Sequence, residues 1–158
     1  MGYDMSMVND PDSEEGYFRA NISGMQLLRG AMLAAGVMDT DYEDPEWPDV
    51  KHLDSESDDE WQGRHELACA SVRAFRSQNP ELVPIGKFVS NDGWHVVPEE
   101  CLLIADKLDA ILATGKEIFY RDSWNNRTVS LGDWDLGFAK RFADYCRLSS
   151  KHGGFRVW

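Results

Sequence analysis

The chain has 158 residues, with 28 acidic side chains against 16 Lys and Arg, a formal net charge of −12 and a pI near 4.6. A single domain of this length buries about 70% of the surface its unfolded chain exposes, so a core can form without disulfides or metal. A hydrophobic content of 42% with six Trp excludes disorder of the whole chain. The charge disfavours nucleic acid and anionic lipid as partners, because both are polyanions held mainly by Lys and Arg.

Tyr3, Met5 and Met7 alternate with Asp4, Ser6 and Val8, which predicts a short strand closed by Asn9-Asp10-Pro11. Asp12 with Glu15 three residues on reads as a capping box with Asp in the Ser/Thr role. Tyr17, Phe18, Ile22, Met25, Leu28, Met32 and Ala35 then recur at helical steps, so one helix is predicted over residues 12–36 with Gly36 as its stop. Gly24 and Gly30 fall inside it, each costing about 1 kcal/mol relative to Ala, which implies either a closely packed backbone or an irregular helix.

Residues 39–60 carry eleven carboxylates against Lys51 alone. Such a run repels itself and resists compaction, so about residues 39–57 are expected to form an exposed loop. Trp47 between Pro45 and Pro48, with Val50 and Leu53 behind it, is expected to pin that loop to the domain. Ser57 and Glu60 form a capping box for a second helix, with Trp61, His65, Ala68, Val72 and Phe75 as its apolar stripe up to Asn79-Pro80.

Residues 85–89 and 94–97 flank Ser90-Asn91-Asp92-Gly93 and read as a hairpin. Pro98 suits the first position of a third helix ending at Gly115. Residues 117–120 fit strand or helix, and 123–132 read as a loop. A fourth helix is predicted to residue 149, with Trp134, Phe138, Phe142, Tyr145, Cys146 and Leu148 facing inward. Gly153-Gly154 stops it, and residues 155–158 form a last strand. The sum is a single α+β domain over 1–158, a small, mostly antiparallel sheet of about four strands packed with about four helices.

Four stretches carry a resemblance: Gly2-Tyr3-Asp4-Met5, Tyr17-Phe18-Arg19-Ala20-Asn21-Ile22, Ser90-Asn91-Asp92-Gly93-Trp94 with Pro98-Glu99-Glu100-Cys101, and His152-Gly153-Gly154-Phe155-Arg156-Val157-Trp158. Together they resemble a group of short uncharacterised proteins from actinobacteria and their phages, over most of the chain apart from the acidic run. A Thr commonly precedes the Pro-Glu-Glu step in that group, where this chain has Val97. The resemblance implies a compact domain in a bacterial or phage cytoplasm and carries no activity, cofactor or catalytic residue.

Chemistry-bearing patterns are sparse. Cys69, Cys101 and Cys146 are odd in number and widely spaced, as suits reduced thiols in a cytoplasm. No secretory signal is visible in the N-terminal residues and no stretch approaches the ~20 apolar residues of a membrane span, so neither export nor a membrane span is expected. His65 and Cys69 stand at i and i+4, but no CxxC or HExxH completes a metal site, so no metal and no cofactor are expected. Cys101, near a helix N-terminus with His95 close by, is the best candidate nucleophile, opposed by Glu99 and Glu100.

The reading that follows is a non-enzymatic, cytoplasmic protein-interaction module, phage-encoded in one form and acting on a host protein. Its binding residues are Trp47, Asp44 and Glu46 in the acidic run and Asp92, Trp94 and His95 at the hairpin, with a basic surface on the partner and no catalytic residue. One alternative is a small hydrolase or transferase with a cleft over residues 90–101. Another is an acidic mimic of nucleic acid.

Overall fold

A computed structural model of the chain describes residues 2–39, 53–91, 93–122 and 127–158. Strand β1 (Gly2–Met7) turns into β2 (Tyr17–Asn21), followed by helix α1 (Ile22–Ala34) and helix α2 (Asp58–Gln78). A 3-10 turn (Ile85–Phe88) leads to β3 (Trp94–Val96) and helix α3 (Pro98–Ala113). Strands β4 (Phe119–Asp122) and β5 (Arg127–Ser130), helix α4 (Asp133–Ser149), a second 3-10 turn (Ser150–His152) and β6 (Phe155–Val157) complete the chain. The fold is α+β, as expected: an antiparallel four-stranded sheet in the order β2-β1-β6-β3 and a separate β4-β5 hairpin.

Period-two alternation sorts the faces of the main sheet. Met5, Met7, Ala20, Val96, Phe155 and Val157 are buried against the helical layer, whereas Asp4, Arg19 and Arg156 point to the other face. Met25, Leu28 and Met32 of α1, Ile104 and Leu108 of α3, and Phe142 and Cys146 of α4 fill the space beneath, all essentially inaccessible. At about 25 cal/mol per Å2 of apolar surface, burying each such side chain contributes roughly 1.5–3 kcal/mol. Helix α2 gives Phe75 to the buried set, while its Leu67 is 76% exposed.

Three expectations need correction. Residues 17–21 are a strand, and the first helix starts at Ile22, because Phe18 and Ala20 face the core while Tyr17 and Arg19 face out in register with β1. The cap is Asn21, whose Oδ1 accepts from Gly24 N at 2.7 Å. The close approach anticipated at Gly30 is there, since a Cβ would lie 2.2 Å from Tyr120 Cβ. Residues 85–88 form a 3-10 turn, so the predicted hairpin is replaced by β3 pairing with β6 from the end of the chain. Residues 127–130, read as loop, pair with β4.

The expectations for 58–78, 98–113, 133–149 and the final strand agree with the structure within a residue or two. Val97 supplies no side-chain cap to α3; instead Glu100 Oε2 accepts from Val97 N at 3.0 Å.

Candidate functional site

The hairpin candidates fall on structural duties. Trp94 faces the helical layer on β3 opposite Val157 and is half-buried. His95 lies on the opposite face beside Arg156, where its Nε2–H donates to Gly153 O at 2.8 Å. Arg156 in turn donates to Gly93 O at 2.9 Å. Gly93 has φ +79°, and a Cβ there would meet the Trp158 ring at 2.5 Å, so both backbone and packing exclude a side chain. Asp44, Glu46, Trp47 and Asp92 lie outside the described residues.

Cys101 is not brought to His95. Its side chain is fully buried in the core, and its Sγ donates to Val96 O at 3.6 Å. Burial and then the neighbouring Glu100 charge push its thiol up to about 12, so it is protonated at neutral pH and unsuited to nucleophilic attack. Cys146, wholly buried nearby, is held well above the usual thiol range by burial and by Cys101.

What the hairpin region does contain is a buried ion pair that sequence reasoning missed. Lys87 Nζ lies 2.6 Å from Glu100 Oε2 and donates to His95 O at 2.8 Å, with side-chain exposures of 5% and 2%. The pair ties the 3-10 turn, β3 and the first turn of α3 together. Its only sequence signal is Glu100 at the third helical position, where a carboxylate can reach back to the cap.

On α2, Cys69 Sγ lies 3.6 Å from His65 Nδ1, and His65 stacks on Trp61 with ring centroids 5.2 Å apart. Burial raises the Cys69 thiol, reinforced by Glu66 and opposed by Arg73 and Arg156. Among the described residues, no group of three His, Cys, Asp or Glu side chains is placed to hold a metal ion. No helix of the described residues is long and apolar enough to cross a membrane.

Two surfaces remain. At the head of α2 the capping box forms as expected, with Ser57 N and Oγ donating to Glu60 Oε2 at 2.9 and 2.8 Å. These bonds hold the Glu60 carboxyl below its usual range, so it stays charged. Asp54, Asp58, Asp59 and Glu60 are exposed there, while Glu56 is gripped by both arms of the Arg64 guanidinium at 2.8 and 2.9 Å.

The second surface is aromatic and corrects another expectation. Trp134, expected inside, is 68% exposed in the first turn of α4, stacked on Phe138 at 5.5 Å with planes 5° apart. The Arg141 guanidinium sits over the same Phe138 ring at 5.5 Å. Trp158, expected at the core or the sheet face, lies apart from this surface on the outer face of the main sheet, in agreement with that expectation, half-exposed and donating from Nε1 to Ser6 Oγ at 3.2 Å.

A scan against protein-family models finds no match, and searches of curated proteins and of solved structures find no significant match.

Proposed function

We propose that this chain is a non-enzymatic, cytoplasmic protein-interaction module that engages a basic surface of a partner protein through its acidic segment. The observation that carries this reading is the placement of charge: residues 39–60 hold −10 of the total −12. The described end of that segment presents Asp54, Asp58, Asp59 and Glu60 to solvent at the head of a capped helix. Concentrated like charge of this kind accelerates encounter with an oppositely charged surface and falls off with salt. The buried, protonated Cys101, set apart from His95, supports a binding role over a catalytic one. The resemblance to actinobacterial and phage proteins supports a partner in a bacterial cell, with a host protein as the target of a phage-encoded form.

The test is affinity capture from an actinobacterial lysate, at low and high salt. The bait is either the chain itself or a variant with the 39–60 carboxylates changed to amides and Trp47→Ala. A protein with a basic surface, retained by the native chain and lost both in the variant and at high salt, is the expected result. Identical capture by both baits overturns the reading. Displacement of the captured protein by duplex DNA assigns the interaction to mimicry of nucleic acid.

A further inference from the structure

The outer edge of β2 and the flank of α4 beneath it form a second surface, independent of the acidic segment. Backbone pairing fixes which groups of β2 are free. Asp4 exchanges both its backbone bonds with Trp158, at 2.8 and 2.7 Å, so the even residues of β1 bond toward β6. The odd residues therefore bond toward β2, as Met7 N does to Gly16 O at 2.8 Å. In the β1–β2 register Tyr3 faces Ala20 and Met5 faces Phe18. Phe18 and Ala20 thus turn their N–H and C=O groups to β1, and Tyr17 and Arg19 turn theirs outward. β2 ends the strand order, and among the described residues these outward groups have no partner.

Helix α4 runs lengthwise beneath this edge. Phe18 packs on Phe138, Phe142 and Tyr145 at 5.3–5.4 Å, and Tyr145 Oη reaches Gly16 O at 3.3 Å. One flank of α4 faces α3 through Lys140 and Arg147, which pair with Asp109 at 3.2 and 2.8 Å. The stripe Trp134, Phe138, Arg141 and Tyr145 lies on the other flank, the side of β2. It offers an exposed indole and a guanidinium that makes no ion pair among the described residues.

An open strand edge beside a helix flank is the arrangement that binds an extended peptide as an added strand: main-chain bonds give affinity, and alternate side chains read the flank. We propose that β2 and α4 form a docking groove for an extended, acidic segment of a partner protein. That segment adds as a strand to Tyr17–Asn21, lays an apolar or aromatic side chain on Trp134 and directs a carboxylate to Arg141. Charge selects this occupant over a second copy of the chain. An antiparallel β2–β2 pairing centred on this strand sets Arg19, which leans on Asp4 of β1 at 3.6 Å, against a second Arg19, whereas a carboxylate-bearing strand meets the guanidinium of Arg141 with opposite charge.

The probe is a displayed library of random short peptides selected against the full chain, with the best clone labelled for fluorescence anisotropy. Recovered sequences are expected to pair an aromatic or aliphatic residue with Asp or Glu a few positions away. Trp134→Ala and Arg141→Glu should each weaken binding about tenfold or more. Arg19→Pro removes an outward N–H and leaves the β1 ladder intact, so it should abolish binding in a folded protein, while Arg19→Ala retains part of it. Saturating peptide should slow amide exchange at Tyr17 and Arg19 in the native chain. Four results overturn the proposal: no enrichment, enrichment of basic peptides, binding unchanged in all the variants, or a concentration-dependent dimer that protects the same two amides without peptide.

Discussion

The buried Lys87–Glu100 pair makes the sharpest stability prediction. Replacing Glu100 with Leu leaves an ammonium of 5% exposure with His95 O as its remaining partner among the described residues, and strips Val97 N of its acceptor at the start of α3. Removing one member of a buried pair costs about 3–5 kcal/mol, because the desolvation of the survivor is no longer compensated. Lys87→Met leaves Glu100 at 2% exposure with Val97 N as its remaining donor, and costs a similar amount. Against a total stability of about 5–15 kcal/mol for a domain, either change brings the protein near its unfolding threshold. At about 2–4 °C per kcal/mol, the melting temperature falls by roughly 6–20 °C. The double variant Lys87→Met, Glu100→Leu fills the same volume with apolar atoms and should cost far less than the two single changes added together. Urea unfolding followed by Trp fluorescence measures all four proteins. Single variants within about 1 kcal/mol of the parent, or a double variant equal to the sum of the singles, would refute the assignment of this pair as a coupled buried unit.

Two further predictions follow from packing and titration. Gly30→Ala gains about 1 kcal/mol of helix propensity but drives a Cβ to 2.2 Å from Tyr120 Cβ, a clash of two backbone-anchored atoms. The net effect should be a loss of about 1–3 kcal/mol in urea unfolding, and a gain in stability would refute the packing. The Cys101 thiol, raised to about 12 in the fold, stays protonated where the unfolded thiol ionises. Its contribution is therefore complete below the unfolded value near 8.5 and is lost as pH rises toward 12, at up to about 1.4 kcal/mol per pH unit. Cys101→Ala should flatten the alkaline limb of stability against pH; an unchanged slope between pH 9 and 12 would contradict the burial of this thiol.

The sequence made three of the four helices legible because each begins or ends with a local chemical signal: Ser57 and Glu60 at α2, Pro98 and Gly115 at α3, the acidic first turn of α4 with Gly153 beyond it. The error at residues 12–21 arose from two competing local readings. Tyr17 and Phe18 fit a helical stripe with Ile22 and Met25, and Asp12 with Glu15 imitates a capping box. What decides between helix and strand is the alignment of Phe18 with Met5 and Ala20 with Tyr3, a relation invisible until β1 is placed beside it. The same holds at β3, whose partner is β6 at the far end of the chain. A turn-forming Asn-Asp-Gly suggested pairing with its neighbour, but residues 85–88 curl so that Lys87 can turn inward to Glu100. Trp134 fits the inner stripe by phase, yet position in the fold overrides phase: it sits in the first turn of α4, beyond Phe138, which covers the core below. The candidate surface was therefore hidden for the same reason as the sheet order, since edges and flanks exist only once distant strands are assembled.

The two edges of the main sheet are treated differently. An unpaired strand edge is a hazard that proteins blunt by covering it, shortening it or placing charge on it. At β3 the edge is covered: the outward carbonyl of His95 is taken by Lys87 Nζ, the same group that neutralises Glu100. Lys87 thereby joins the stability of the core to the closure of that edge, so its loss exposes a carbonyl as well as a buried carboxylate. At β2 the defence among the described residues is brevity and one charge, Arg19, on a strand of five residues. Arg19 deters a second copy of the same strand through like charge, but it does not deter a strand bearing carboxylates. If protection were the sole requirement here, the flank beneath would be polar; instead it carries an indole exposed to 68% and a guanidinium over an aromatic ring. That combination disfavours self-pairing and suits an acidic, extended partner, in contrast to the β3 edge, where Lys87 takes the outward carbonyl.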